Sequence, residues 1–420
     1  MTNLLRLALR SAWNRRLTLA LIVCAIALSV TMLLGVERAR IAAREGFSQA
    51  VSGSDLVVGA RTSPIQLVLY AVFHLGEATN NMLWKSEQVI AADPGVAWVI
   101  PLSLGDSLRG FPTLGTTTAF FEHFRYGLRI ALAFAEGRPF SNVFDAVLGA
   151  QVARQLGYRL GDTIVLTHGS GGIGSIEHAD KPFTVVGILK PTGTPVDRTV
   201  FVSLEAIEAI HLGWQGGAPL PGFSIPSQYV RKFDLTPKTI TAMLVGLKNR
   251  AGVFRAQRAI DDFSDEPLMA VLPGVALDQL WQVVGVVEKA LLAVSALVVV
   301  VGIAGMVAAV LASLNERRRE LSILRSVGAG PRHIVALLGI EALLVTGAGA
   351  AFGVALLLAL SLSLAPLLAS RFGLSVDPWT WSANESHLLG AVILAGIAAG
   401  LIPAYRACRL ALADGLTPRI

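Results

Sequence analysis

The chain has 420 residues, 53% of them hydrophobic and only 15% charged, with a net charge of +6 and a mean hydropathy of +0.61. Soluble domains carry about 25% charged residues, so this composition excludes a purely soluble chain, a disordered one and a disulfide-rich or collagen-like one. A long middle stretch of ordinary globular composition equally excludes a chain embedded in lipid throughout. The positive charge collects beside apolar runs, which fits a membrane protein with a basic cytoplasmic side and points to no nucleic-acid partner.

Residues 1–16 carry Arg6, Arg10, Arg15 and Arg16 ahead of a first predicted span at 17–36. That apolar core exceeds the roughly 7–15 residues of a cleaved signal and has no small-x-small cleavage site, so it reads as an uncleaved anchor. Residues 37–285 form one large extracytoplasmic α+β insertion, and long domains translocate regardless of charge. It opens with a helical continuation, ERARIAAREGFSQAV, followed by DLVVGAR as a strand. Further strands are predicted at 97–100, 163–167, 183–188, 199–202 and 242–247, and helices at 147–156, 204–210 and 253–263. A Pro/Gly-rich link at 213–226 suggests two lobes. IQLVLYAVFHL, residues 65–75, is too short to span and reads either as a buried element or as an exposed apolar patch.

An apolar-periodic helix from Ala276 to Lys289 runs on as a stalk into the second span at 290–314, and the stalk and span segment is placed at 286–314. Residues 315–334 are a charged cytoplasmic segment. The third span is placed at 335–370, a short outer loop at 371–386, the fourth span at 387–405 and a cytoplasmic tail at 406–420. The third run is too long for one straight span, so a kink near Gly347, Gly349 and Gly353 and a short surface helix after Pro366 are expected. Splitting it into two spans would put the arginines of the tail outside. Four spans place them inside with the other clusters, both termini cytoplasmic.

Within the insertion, His168 and His178 flank a glycine-rich tract and Asp180 follows; imidazole and carboxylate donors suit zinc, although such spacing also arises in solvated loops. The segment NERRRELSILRSVGAGPRHI places Leu321 and Leu324 at helical spacing among charges, with Gly328 as a helix stop. It reads either as a docking helix or as a loop that anchors two span ends.

Glu316, Arg317, Arg319, Glu320, Leu321, Ile323, Leu324, Arg325 and Gly328 together resemble the loop motif of the FtsX-like permeases, the MacB/LolC/LolE class of type VII ABC transporters. IEALLVTGAGAAFG resembles the family's third span, IPAYRACRLALADGL its tail and LALRSAWNRRLTLAL its amphipathic lead-in; LGAQVARQLGYRLGDTI, FTVVGIL and VDRTVFVSLEAI resemble pieces of its outer domain. The resemblance implies an α-helical inner-membrane protein with four transmembrane helices and a large α+β domain between the first two. It implies coupling of Glu316, Arg317, Arg319, Glu320, Leu321, Leu324, Arg325 and Gly328 to a cytosolic ABC ATPase that binds ATP. It also implies a homodimer or a heterodimer with a similar permease, and a periplasmic adaptor or substrate protein among membrane lipids. Mechanotransmission for export or for lipid or lipoprotein handling is the leading reading. A regulator of a periplasmic enzyme and a metal-linked envelope receptor are the alternatives. The 420 residues contain no GxxxxGK[ST], HExxH or GxSxG pattern, so no cofactor or catalytic activity is expected of this chain itself.

Overall fold

The computed structural model describes residues 16–50, 53–76, 78–169, 176–215, 218–220, 225–316, 326, 328–372 and 377–413. These described residues divide into two compact units, one drawn from 16–42, 285–367 and 377–413, the other from 43–284 and 368–372.

The first unit is helical. Among the described residues, four helices are long and apolar enough to cross a membrane. They lie in α1 (Arg16–Gln49), then, beyond the insertion, in α8 (Pro273–Glu316), α9 (Pro331–Phe372) and α10 (Ala383–Ala413). Small residues let the helices approach. A Cβ on Gly353 would come within 2.7 Å of the Ala27 carbonyl oxygen, and one on Gly349 within 2.7 Å of the Ile26 side chain. Thr31 Oγ1 lies in the same seam, 2.8 Å from its own helix at Ala27 O and 3.0 Å from Gly353 O. Such small-residue seams are how helices associate in lipid, where no hydrophobic force drives them together.

The glycines expected to mark a kink lie in this seam. α9 is one helix of 42 residues with Pro366 inside it, not a span followed by a short surface helix. Its glycines at 349 and 353 serve packing against α1. Glu341 is buried, with Leu19, Met306 and Pro403 lining the same small pocket. At the start of α10, Ser382 and Glu385 form a capping box: Ser382 Oγ accepts from Glu385 N at 3.1 Å, and Glu385 Oε2 accepts from Ser382 N at 2.8 Å. The other oxygen of Glu385 accepts from Arg38 Nε at 2.7 Å, which ties α1 to α10 through a buried ion pair.

The second unit is built on an eleven-stranded mixed sheet. Its strands are β1 (Leu56–Ala60), β2 (Val96–Leu108), β3 (Phe111–Thr116), β4 (Phe134–Gly137), β5 (Asp145–Leu148), β6 (Thr163–Ile164), β7 (Thr167–His168), β8 (Phe183–Leu189), β9 (Val200–Ser203), β10 (Ala242–Leu247) and β11 (Leu268–Val271). The order is β11-β1-β10-β2-β3-β9-β5-β8-β4, with β7 on β2 and β6 on β8. The link at 213–226 does not divide two separate sheets. The 13 residues of β2 pair with β10 over their first part and with β3 and β7 over their second, so one strand belongs to both groups. β2 and β3 join through Arg109 and Gly110, both at positive φ, in the two-residue hairpin geometry that matches strand twist.

The helices of this unit are α2 (Pro64–Phe73), α3 (Trp84–Ala91), α4 (Ala119–His123), α5 (Ala150–Leu156), α6 (Leu204–Ile210) and α7 (Val253–Asp261). The apolar segment 65–75 is a buried helix: Leu67, Val68, Tyr70, Ala71, Val72 and Phe73 of α2 all face the core. Pro64 starts it and His74, in the left-handed region at φ 53°, ends it. Around α4 the core is aromatic, with Phe120 4.9 Å and Phe121 5.8 Å from Phe201 between ring centroids.

Candidate metal centre

Four side chains converge in the second unit, each delivered by a different piece of backbone. Asp106 lies near the end of β2. One position before it, Gly105 is the extra residue of a bulge, since Leu104 pairs with Leu114 and Asp106 with Thr113. Its φ of 154° lies where glycine is favoured, and bulges re-aim the side chains that follow. β7 pairs with β2 so that His168 stands directly opposite Asp106.

His178 comes from the returning arm of the same hairpin. His168 N donates to Ile176 O at 2.8 Å, His178 N donates to Leu166 O at 2.9 Å, and Thr167 bridges to Glu177. With strand alternation, this register puts 168 and 178 on one face and 177 on the other. His178 is accordingly buried and Glu177 exposed. His211 caps the C-terminus of α6. That helix is fastened by Ser203, whose hydroxyl accepts from Ala206 N at 3.1 Å, and by buried Ala206, Ala209 and Ile210. It sits close over β3 because Gly115 there has no Cβ to strike Ile207.

The donor atoms point at one carboxylate oxygen. Asp106 Oδ1 is 3.1 Å from His168 Nδ1, 3.5 Å from His178 Nε2 and 3.7 Å from His211 Nε2. His211 Nε2 and His168 Nδ1 are 3.1 Å apart. One donor atom from each of the four residues lies within 4.8 Å of every other. The Trp214 ring packs on all three imidazoles, with centroids at 5.0 Å from His168, 4.7 Å from His178 and 5.2 Å from His211. Burial by itself would raise the Asp106 carboxyl; the imidazoles of His168, His178 and His211 outweigh it and hold the group at about 2. Burial also lowers His211, against the opposing pull of Asp106. Asp106 is thus a carboxylate, and His211 favours its neutral form, which is the ligating one.

Of the residues predicted from sequence, His168 and His178 meet and Asp180 does not. Asp180 lies in the turn after the hairpin, where its carboxylate holds Lys181 Nζ at 3.1 Å. Asp106 and His211 take its place. They stand 62 residues before and 43 residues after His168 in the chain, a distance no local pattern spans. Of the coupling residues, Glu316 is the last of α8, and Gly328 has a φ of 98°. Arg317, Arg319, Glu320, Leu321, Leu324 and Arg325 lie outside the described residues.

Four apolar helices with a mixed-sheet domain inserted after the first define a polytopic membrane protein with a large extracytoplasmic domain. Comparison with known proteins makes the class specific. Residues 17–263 match the family model for the MacB-like periplasmic core domain, and residues 292–412 match that for the FtsX-like permease C-terminal region. The chain belongs to the MacB/FtsX-like family of ABC-transporter permeases. Its layout is that of an inner-membrane protein.

It is 28% identical over 344 residues to the macrolide export ATP-binding/permease protein MacB of Azoarcus sp. (strain BH72), covering 80% of this chain and 48% of that one. It is 26% identical over 241 residues to an uncharacterized ABC transporter permease of Methanocaldococcus jannaschii, covering 56% and 55%. The chain spans about half the length of the curated relatives it matches. Among solved structures, the extracellular domain of the noncanonic ABC-type transporter YknZ from Gram-positive bacteria superposes with a TM-score of 0.30 at 13% identity, over 51% of this chain and 98% of that one. The periplasmic region of MacB from Actinobacillus actinomycetemcomitans gives 0.33 at 9%, over 56% and 96%.

Proposed function

We propose that this chain is the permease subunit of an ATP-driven mechanotransmission complex, acting on a periplasmic lipidic or peptide substrate or on a partner protein. The observation that carries the reading is the pairing of the two family matches, an outer core domain and a permease C-terminal region, in one chain. Two physical features support it. α8 is one continuous helix of 44 residues, about 66 Å long at 1.5 Å per residue, against a hydrocarbon core of about 30 Å. A helix that outreaches the bilayer can carry displacement as a lever. The spans also hold almost no charge, so they offer little to line a polar path for a substrate.

In this reading both termini are cytoplasmic, and two such subunits pair as a homodimer or with a similar permease. The segment 315–334 docks on a cytosolic ABC ATPase through Leu321 and Leu324, with Glu316, Arg317, Arg319, Glu320 and Arg325 around them and Gly328 ending the helix. ATP is bound and hydrolysed by that ATPase, since no P-loop pattern occurs in these residues. Export, or lipid or lipoprotein handling, is the outcome of the motion, with a periplasmic adaptor or substrate protein as the outer partner. Affinity capture of the full chain from native membranes, followed by mass spectrometry, should retain an ABC ATPase in stoichiometric amount. Recovery of the chain without any ATPase, under conditions that preserve other ABC complexes, would contradict the proposal.

A further inference from the structure

The geometry points to a binding site for one divalent transition-metal ion, zinc(II) in the first instance, formed by Asp106, His168, His178 and His211 in the extracytoplasmic unit. The inference stands on these side chains alone and does not depend on the permease reading.

The separations lie close to those of ligands around one ion, although the two at 3.1 Å are also hydrogen bonds in the metal-free arrangement. A tetrahedral ion with bonds of about 2.0–2.1 Å holds its ligand atoms about 3.3–3.4 Å apart. Three imidazole nitrogens stand 3.1, 3.5 and 3.7 Å from the one oxygen, Asp106 Oδ1, and two of them are 3.1 Å from each other. An ion centred among the four would need only small side-chain movements.

The protonation pattern agrees. His211 Nδ1 lies 2.8 Å from the Ile207 carbonyl oxygen, which can only accept, so Nδ1 carries the proton and Nε2 presents its lone pair to the cluster. Metal-ligating histidines are oriented by this kind of second hydrogen bond. His178 Nε2 is buried and makes no hydrogen bond. A buried polar atom left in that state is rare in folded proteins, and coordination would satisfy it. Three nitrogens and one carboxylate oxygen suit zinc, copper, nickel or iron, whereas calcium and magnesium take oxygen ligands. Trp214 covers the imidazoles and keeps the centre partly dry. Bound metal would tie together β2, the paired segments 166–168 and 176–178 and the end of α6, so that metal supply sets how firmly these pieces are joined.

The test uses the full chain in detergent, stripped with a chelator and then titrated with zinc chloride. Calorimetry and metal content after desalting should give about one equivalent per chain. His178→Ala and His211→Ala should weaken binding at least about a hundredfold, more than loss of an outer-shell partner does. His123→Ala, which removes a histidine stacked on Trp98 elsewhere in the domain, should bind as the parent does. Should His178→Ala fail to fold, His168→Ala, at a partly exposed position, serves instead. Cobalt(II) should give the intense visible absorption of a tetrahedral complex in the parent and not in the ligand variants. Substoichiometric zinc in the parent after desalting, or equal retention by the parent and the ligand variants, would overturn the assignment.

Discussion

Asp106 shows how much a single residue's role depends on its surroundings. The strand predicted at 97–100 runs on in the structure as a bulged 13-residue strand that carries Asp106. The hairpin that brings His168 to His178 is legible from a glycine-rich tract between two short apolar runs. Their meeting with Asp106 and His211 is not, because it depends on which strands pair. Glu87, in the first turn of α3, offers a prediction at the same scale. Burial lifts its carboxyl from 4.5 to about 7. The folded protein therefore holds this proton more tightly than the unfolded chain. The contribution to stability is intact below 4.5 and is lost as pH rises through about 7. Glu87→Gln should accordingly raise the thermal midpoint at about pH 8, and the gain should vanish on acidification below the ordinary carboxylate range. A gain independent of pH would show that the charge at this position is not what burial penalises.

At the scale of elements, the short apolar runs at 183–188 and 242–247 and the helix at 204–210 were legible because each is apolar and bounded by turn residues. The aromatic helix Ala119–His123 and the edge strand Phe134–Gly137 were not. Both are short, and tertiary packing of Phe120, Phe121 and Phe134 rather than local propensity holds them. The glycines of α9 carried the opposite lesson. In sequence they suggested a kink; in the structure Gly349 and Gly353 sit against α1. Gly353→Leu should therefore destabilise the detergent-purified protein by about 2 kcal/mol, the cost of overpacking a close-packed interface. Gly339→Leu, where an added Cβ meets nothing within 4 Å, should leave the thermal midpoint nearly unchanged. Equal effects of the two would mean that the α1–α9 seam is not close-packed.

For the whole molecule, the layout of four apolar helices around a large α+β insertion was legible from hydropathy, and the family from its loop, third-span and tail motifs. Substrate was not legible, because among the described residues nothing outside the cluster around Asp106 selects a ligand class. The central proposal is that the chain transmits force from a cytosolic ATPase, and the most direct measurement is made on the segment between α8 and α9. Loss of a buried apolar anchor at an interface costs about 2 kcal/mol or more, whereas a rim charge alters mainly the association rate. ATPase retention and ATP turnover should be measured on complexes purified with the parent chain, Leu324→Asp and Arg318→Ala. The account predicts that Leu324→Asp releases or uncouples the ATPase while the membrane protein stays folded, and that Arg318→Ala does much less. Unchanged retention and turnover in Leu324→Asp would contradict it.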